Sequence, residues 1–121
     1  MFTVSVKTHF WASHQLTLPD GAREQRHQHN WIVTAEVSRG KLDKIGRVAD
    51  FQLIKKGMKG IVAELDNRQL EMMEYFKKNN ASAENVAKYI YEKLAKKLPK
   101  ELKLRYVRVE EQEGCAAKFG K

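Results

Sequence analysis

Residues 26–37 read RHQHNWIVTAEV, and this stretch decides the fold because two histidines begin a run of alternating apolar residues. Side chains two positions apart in a β-strand point to the same face, so His27 and His29 are expected to lie side by side. A catalytic zinc site usually has three protein ligands and one open position. His14, at the end of the first apolar run, is the candidate third ligand. A lone His-x-His pair is often an ordinary surface feature, so the zinc hypothesis depends on the rest of the chain.

The length and cysteine content of the chain are those of a single domain in a reducing compartment. Its 121 residues can bury one core of two layers, and we predict one domain over residues 1–121. The single cysteine, Cys115, cannot form an internal disulfide, and we expect it to be structural. Residues 1–10 lack the features of a signal peptide, and no apolar run reaches the roughly 20 residues of a membrane span. We therefore expect a cytoplasmic location.

The charge is strongly positive, with 23 Lys and Arg against 15 Asp and Glu and a net charge of +8. Such an excess suggests an anionic partner, namely nucleic acid, a phosphorylated metabolite or an acidic surface. Many of the lysines fall on predicted helix surfaces, where a solvated face is an equally good explanation. Arg23 and Arg26 differ because they flank the histidine pair. No recognition helix or zinc-finger pattern is present, so we predict no nucleic acid and no membrane as partner.

Two strands are predicted in the first third of the chain. Residues 2–11 alternate apolar and polar side chains, and residues 27–37 do so again. Residues 18–21, Leu-Pro-Asp-Gly, are a turn signal in the loop between them. Antiparallel pairing of the two strands would bring His14 close to the histidine pair.

The remaining elements give an α+β domain with a four-stranded antiparallel sheet and two helices on one face. Apolar residues recur at steps of three and four over residues 51–65 and 83–98, which predicts two amphipathic helices. Alternation returns at residues 102–111, and residues 116–119 are a short fourth strand. Each helix is preceded by a residue that favours the N-cap position, Asp50 and Ser82.

Six short motifs in a fixed order are more specific together than any one of them alone. They are HFWASHQL (9–16), HQHNWIVTAEV (27–37), GRVADFQLIKK (46–56), LDNRQL (65–70), ASAENVAKYI (81–90) and VRVEEQ (107–112). In this order they resemble the motifs of the 6-pyruvoyltetrahydropterin synthase / 6-carboxytetrahydropterin synthase family over nearly the whole chain. The resemblance implies the tunnelling fold, with trimers whose sheets close into a barrel and two trimers stacked into a homo-hexamer.

The resemblance also implies a site and a reaction. His14, His27 and His29 would bind Zn²⁺, and the ion would polarise oxygens on the side chain of a reduced pterin. Glu111 would anchor the pterin ring through two parallel N–H bonds. Asp66 would belong to a proton-transfer relay. The implied function is a zinc-dependent lyase acting on the side chain of 7,8-dihydroneopterin triphosphate.

Departures from the family pattern fall on its acid–base residues. Arg23 stands where the family has its catalytic cysteine, and Asn67 stands where it has the relay histidine. Gln28 replaces the glycine between the paired histidines. A guanidinium stays protonated and cannot act as a base. Glu24 is the nearby titratable residue, and we predict it as a catalytic residue alongside Asp66.

Two alternatives to the synthase-type reaction stay open. The family has a branch in which a glutamate replaces the cysteine and the enzyme cleaves the pterin side chain as an aldolase, giving a 6-hydroxymethylpterin. Glu24 makes that reaction possible here, although an ordinary loop acid would look the same in the sequence. The other alternative is a pterin- or purine-binding protein that has lost catalysis, which the missing cysteine and histidine favour.

Overall fold

Strands β1 (Phe2–His14) and β2 (His27–Arg39) pair antiparallel in the computed structural model, which describes residues 1–121. Their register places His14 directly opposite His27. Alternate side chains of β2 are fully buried, as the alternation in the sequence predicts, because one face of the strand packs on the core. The large ring of Trp31 lies at the centre of this face, stacked on Phe10 of β1.

Three further strands complete a five-stranded sheet of order β3-β1-β2-β4-β5. Strand β4 (Lys103–Gln112) pairs antiparallel with β2, and β5 (Cys115–Gly120) pairs antiparallel with β4. Strand β3 (Arg68–Gln69) runs parallel to β1 at the opposite edge. The β4 strand shifts register between Glu110 and Gln112, which marks a bulge at Glu111.

Helices α1 (Phe51–Leu65) and α3 (Ala83–Lys97) cover one face of the sheet, with the short α2 (Glu74–Lys78) between them in the chain. Both predicted N-caps form. The Asp50 carboxylate accepts a hydrogen bond from the Gln52 N–H at 2.9 Å, and the Ser82 hydroxyl accepts one from Asn85 at 3.2 Å. The α+β class, with the long helices on one face of the sheet, is therefore as the sequence predicted. No helix has the length and apolar character needed to cross a membrane.

The sheet has one strand more than predicted, and residues 68–80 are more ordered than a plain connection. They contain β3, a 3-10 helix (Leu70–Met72) and α2. The turn into this segment is made by Asn67, which has a φ of 61° and donates its N–H to the Trp11 carbonyl. A two-residue strand is too short to show alternation, and α2 has no side-chain N-cap, so neither left a signal in the sequence.

One ion pair ties the loop before β2 to the 3-10 helix. Arg26 Nε donates to Glu71 Oε2 at 2.8 Å. The Glu71 side chain is only 11% exposed, whereas the Arg26 side chain is 42% exposed. The second carboxylate oxygen of Glu71 is buried without a hydrogen-bond partner. Arg26 is thus the group that stabilises this enclosed charge.

We expect the two halves of this pair to differ when they are replaced. Arg26→Gln leaves the buried Glu71 charge unpaired and should lower the free energy of unfolding by about 1–3 kcal/mol. Glu71→Gln leaves a cation that water can solvate and should cost less than about 1 kcal/mol. Urea unfolding of both variants measures the difference. Equal costs would show that the enclosed carboxylate does not depend on Arg26.

Candidate functional site

The C-terminal end of β1 and the start of β2 bring three imidazoles into one cleft. The ring centroid of His14 lies 5.2 Å from that of His29 and 6.3 Å from that of His27. The rings of His27 and His29 are 6.0 Å apart and nearly parallel, because both project from the same face of β2. The antiparallel register therefore gathers the three histidines that the sequence singled out.

His14 is held in an orientation that leaves one ring nitrogen free to bind a cation. The residue is 2% exposed, and its Nδ1 lies 2.7 Å from the Ala81 carbonyl oxygen. A carbonyl only accepts hydrogen bonds, so Nδ1 carries the proton and Nε2 has the lone pair. Nε2 is buried and has no hydrogen-bond partner. A histidine that binds metal usually has this arrangement, with its other nitrogen donating to a carbonyl.

Glu111 completes a set of converging ligand atoms. Its Oε1 lies 3.1 Å from His14 Nε2 and 3.2 Å from His29 Nε2. The ligand atoms of these three residues all lie within 4.8 Å of one another. A lone pair and a carboxylate oxygen at this distance repel each other unless a proton or a metal ion lies between them. The donor set of two imidazoles and a carboxylate fits Zn²⁺.

His27 lies outside this tight set, although its side chain lines the same cleft. It is exposed at the first position of β2, where only the strand register positions it. The structure therefore offers four potential ligands around one point, His14, His29, Glu111 and, further out, His27.

Burial is the main influence on the pKa of His29. Loss of solvation lowers this pKa from 6.5, and the neighbouring His14 and His27 lower it further, while the Glu111 carboxylate opposes them. The neutral imidazole is favoured, which is the form that binds a metal ion.

This lowered pKa predicts an acid-sensitive apoprotein. The unfolded chain takes up a proton on His29 near pH 6.5, whereas the folded chain resists it until lower pH. The stabilising effect is complete above the unfolded pKa and is lost as the pH falls through the folded one. We expect the free energy of unfolding of the metal-free protein to decrease as the pH is lowered below about 6.5, which urea titrations at a series of pH values measure. His29→Gln should show a smaller loss, and an identical loss would contradict the assignment.

The cleft around these ligands has a volume of about 330 Å³, which lies within the range of small-molecule sites. Glu24 lines it too, half-buried and tethered by its Oε1, which accepts from the Leu16 N–H at 3.3 Å. The structure thus brings Glu24 into the same cleft as the three histidines and Glu111. Arg23, its neighbour, faces a different cleft.

Asp66 is the predicted site residue that lies apart from the others within the chain. It follows the last residue of α1, and its Oδ1 accepts a hydrogen bond from the Trp11 N–H at 2.9 Å. It does not line the histidine cleft. The proton-transfer role of Asp66 stays a prediction. Within the chain, its hydrogen bond with Trp11 joins the end of α1 to β1.

Glu84 is a cleft residue that the sequence analysis did not single out. It lies in the first turn of α3, just after the Ser82 cap, and lines the cleft together with the histidines. The signal was present, because Glu84 is part of the ASAENVAKYI motif. Helix periodicity alone marks it only as an exposed residue in a favourable first-turn position.

The chain is thus an α+β domain with helices on one face of its sheet. The cleft at the strand ends is lined by histidines and carboxylates, and it is a small-molecule site suited to a metal ion. A family model described as 6-pyruvoyl tetrahydropterin synthase matches residues 3–121, and the chain belongs to this family. The resemblance seen in the six motifs is confirmed. Members of the family are pterin-processing lyases and aldolases, which supports enzyme activity at that coarse level.

Two curated relatives and two solved structures show the range of the family. The chain is 34% identical over 96 residues to a dihydroneopterin monophosphate aldolase of Pyrococcus furiosus, covering 79% of this chain and 77% of the relative. It is 37% identical over 70 residues to a putative 6-pyruvoyl tetrahydrobiopterin synthase of Caenorhabditis elegans, covering 56% and 49%. The structure of Caenorhabditis elegans 6-pyruvoyl tetrahydropterin synthase matches with a TM-score of 0.86 at 26% identity, over 99% and 95% of the chains. That of Plasmodium falciparum matches at 0.77 and 22% identity, over 99% and 97%, and shows the fold alone.

Proposed function

We propose that this protein is a zinc-dependent aldolase that cleaves the side chain of a phosphorylated 7,8-dihydroneopterin. The observation that carries the proposal is the position of Glu24, a carboxylate in the same cleft as the metal-ligand candidates. The relative from Pyrococcus furiosus, named for aldolase activity on dihydroneopterin monophosphate, supports it. A synthase-type lyase acting on the triphosphate is the second candidate, favoured by the likeness to the Caenorhabditis elegans synthase. We place it second because Arg23 and Asn67 remove the thiol and the imidazole that we associate with that reaction.

Zinc is the cofactor in this proposal, held by His14, His29 and His27. A bound zinc ion would supply Lewis-acid polarisation of the hydroxyl oxygens on the pterin side chain. The three imidazoles would hold the ion at the strand end, and the Ala81 carbonyl keeps His14 in the tautomer that can bind it. Trp31 packs edge-on against His14 and His29 and excludes water from behind them.

Glu24 is the general base in this mechanism. It accepts the proton of the hydroxyl on the second side-chain carbon, and the bond between the first and second carbons then breaks. The second carbon leaves as an aldehyde that bears the phosphorylated end. The electron pair passes into the pterin ring system, and a proton returned to the first carbon gives the 6-hydroxymethyl product. The tether from Leu16 holds the Glu24 carboxylate in the cleft.

Two roles are proposed for Glu111 as alternatives. It is either the anchor of the pterin ring or a ligand of the metal ion. As an anchor it would accept two N–H bonds from the amino-pyrimidinone edge of the pterin. As a ligand it would replace His27, which lies outside the close set. Glu111→Gln separates them, because loss of pterin binding with full metal content indicates the anchor. Loss of metal from the purified variant indicates the ligand.

The test of the reaction is product analysis by mass spectrometry. Zinc-loaded protein is incubated separately with 7,8-dihydroneopterin monophosphate and triphosphate. A 6-hydroxymethyl-7,8-dihydropterin and a two-carbon phosphorylated aldehyde support the aldolase. A 6-pyruvoyl product with release of triphosphate would identify the synthase reaction instead. Tight pterin binding without turnover would identify a binding protein that has lost catalysis.

The proposal includes assembly into a homo-hexamer of two trimers. Exposed apolar side chains on both β1 and α1 are consistent with surfaces that are covered by other subunits, namely Phe2, Trp11, Phe51 and Leu53. Barrel closure would also pair the free edges of the sheet. Light scattering coupled to size-exclusion chromatography measures the assembly, and a monomer at micromolar concentration would contradict it.

A further inference from the structure

A second cleft, separate from the histidine cleft, lies between the loop after β1 and helix α2. Its volume is about 610 Å³. Three cationic side chains line it, Arg23 from the loop and Lys77 and Lys78 from the end of α2. All three are exposed, and none of them forms an ion pair within the chain. Their charges are therefore available to a ligand.

One carboxylate also lines the cleft, but its charge is already paired. Glu71 accepts the 2.8 Å hydrogen bond from Arg26, so the pair is close to neutral overall. The cleft retains the uncompensated positive charge of Arg23 and the two lysines. This concentration of charge on a concave surface differs from the seven lysines of α1 and α3, which are distributed along the two helices.

The wall between the two clefts is short and rigidly held. Thr17 and Arg23 form an isolated antiparallel bridge, and Asn80 holds Thr17 through two hydrogen bonds of 2.9 Å. Alternate residues on this wall face opposite sides. Leu16 and Glu24 line the histidine cleft, whereas Thr17 and Arg23 line the basic one. Arg23 is thus positioned next to the proposed catalytic base while its own side chain belongs to the basic cleft.

We propose that this basic cleft binds the phosphate group of a phosphomonoester. A guanidinium presents a planar fork of donors that matches phosphate oxygens, and two ammonium groups add charge without fixed geometry. A nucleic acid would need a longer basic track than three side chains at one point. The molecule that carries this phosphate is inferred from the proposed function. In that case the phosphate is the phosphorylated end of the pterin side chain. A free phosphate ion has the same chemistry and is the other source.

The test uses two cleft variants and one matched control. Arg23→Gln and the double variant Lys77→Gln/Lys78→Gln remove the cleft cations. Lys56→Gln/Lys59→Gln removes the same charge from exposed positions on α1. Calorimetric titration with inorganic phosphate should show a Kd at least about tenfold higher in both cleft variants, with the control unchanged. Lysines at the end of a helix also stabilise it, so thermal unfolding is measured for every variant.

The source of the phosphate is decided by kinetics. The ratio of kcat/KM for dihydroneopterin monophosphate to that for unphosphorylated dihydroneopterin should fall about tenfold in the cleft variants if the pterin supplies the phosphate. An unchanged ratio with weakened phosphate binding would support the cleft as a site for the free ion. Phosphate binding that is equal in wild type and cleft variants, or equally weakened in the control, would overturn the proposal. Because calorimetry needs no turnover, this test is independent of the aldolase hypothesis.

Discussion

Replacing His29 with alanine is expected to remove the bound metal and to lower pterin turnover by about three orders of magnitude or more. Lewis-acid stabilisation is worth several kcal/mol, and each 1.36 kcal/mol corresponds to about tenfold in rate. His29 is the best position for this test, because its Nε2 is in the converging set and its side chain is only 17% exposed. Metal content by plasma mass spectrometry and kcat/KM on the same preparation measure both effects.

His9→Ala is the matched control for this prediction. His9 lies on the opposite face of β1, where its Nδ1 contacts the Asn30 side chain at 2.9 Å. The His9→Ala variant should have metal content and turnover within about twofold of wild type, because surface substitutions of this kind change little. A His29→Ala protein that retains full metal and full activity would contradict the role of His29 as a metal ligand, and the ion would then have to be held by His14, His27 and Glu111.

Glu24→Gln is expected to lower kcat by about 10²–10⁴ while metal content and pterin affinity stay near wild type. The amide keeps the size of the side chain and can still accept the hydrogen bond from Leu16 through its oxygen. The amide cannot act as a base, so only the rate of the chemical step should decrease. Single-turnover kinetics separate that step from binding and product release.

Glu101→Gln serves as the control, because Glu101 is an exposed acid in the turn before β4, away from the histidine cleft. Its kinetics should match those of wild type. A Glu24→Gln enzyme with normal kcat would contradict the role of Glu24 as base. In that case the aldolase hypothesis would require another group in the cleft, such as Glu84, to remove the proton.

The sequence predicted the main elements well because their signals are local. Period-two alternation placed β1, β2 and β4 within a few residues of their observed bounds, and the capping residues Asp50 and Ser82 placed the helix starts. The segment after α1 was missed because its order comes from contacts with β1, which no local pattern records. The backbone bond from Asn67 to the Trp11 carbonyl is one such contact.

The sequence by itself determined which residues are available for the chemistry: three histidines at strand ends, a glutamate in the loop, and an arginine and an asparagine at the positions where the resemblance implied a thiol and an imidazole. The tertiary structure alone decided their geometry. It put Glu111 against the Nε2 atoms of His14 and His29, placed Asp66 at the junction between α1 and β1, outside the lining of the histidine cleft, and turned Glu24 and Arg23 into different clefts. The physical reason is that register and packing between segments far apart in the chain set distances between side chains, and spacing along the sequence does not encode those distances.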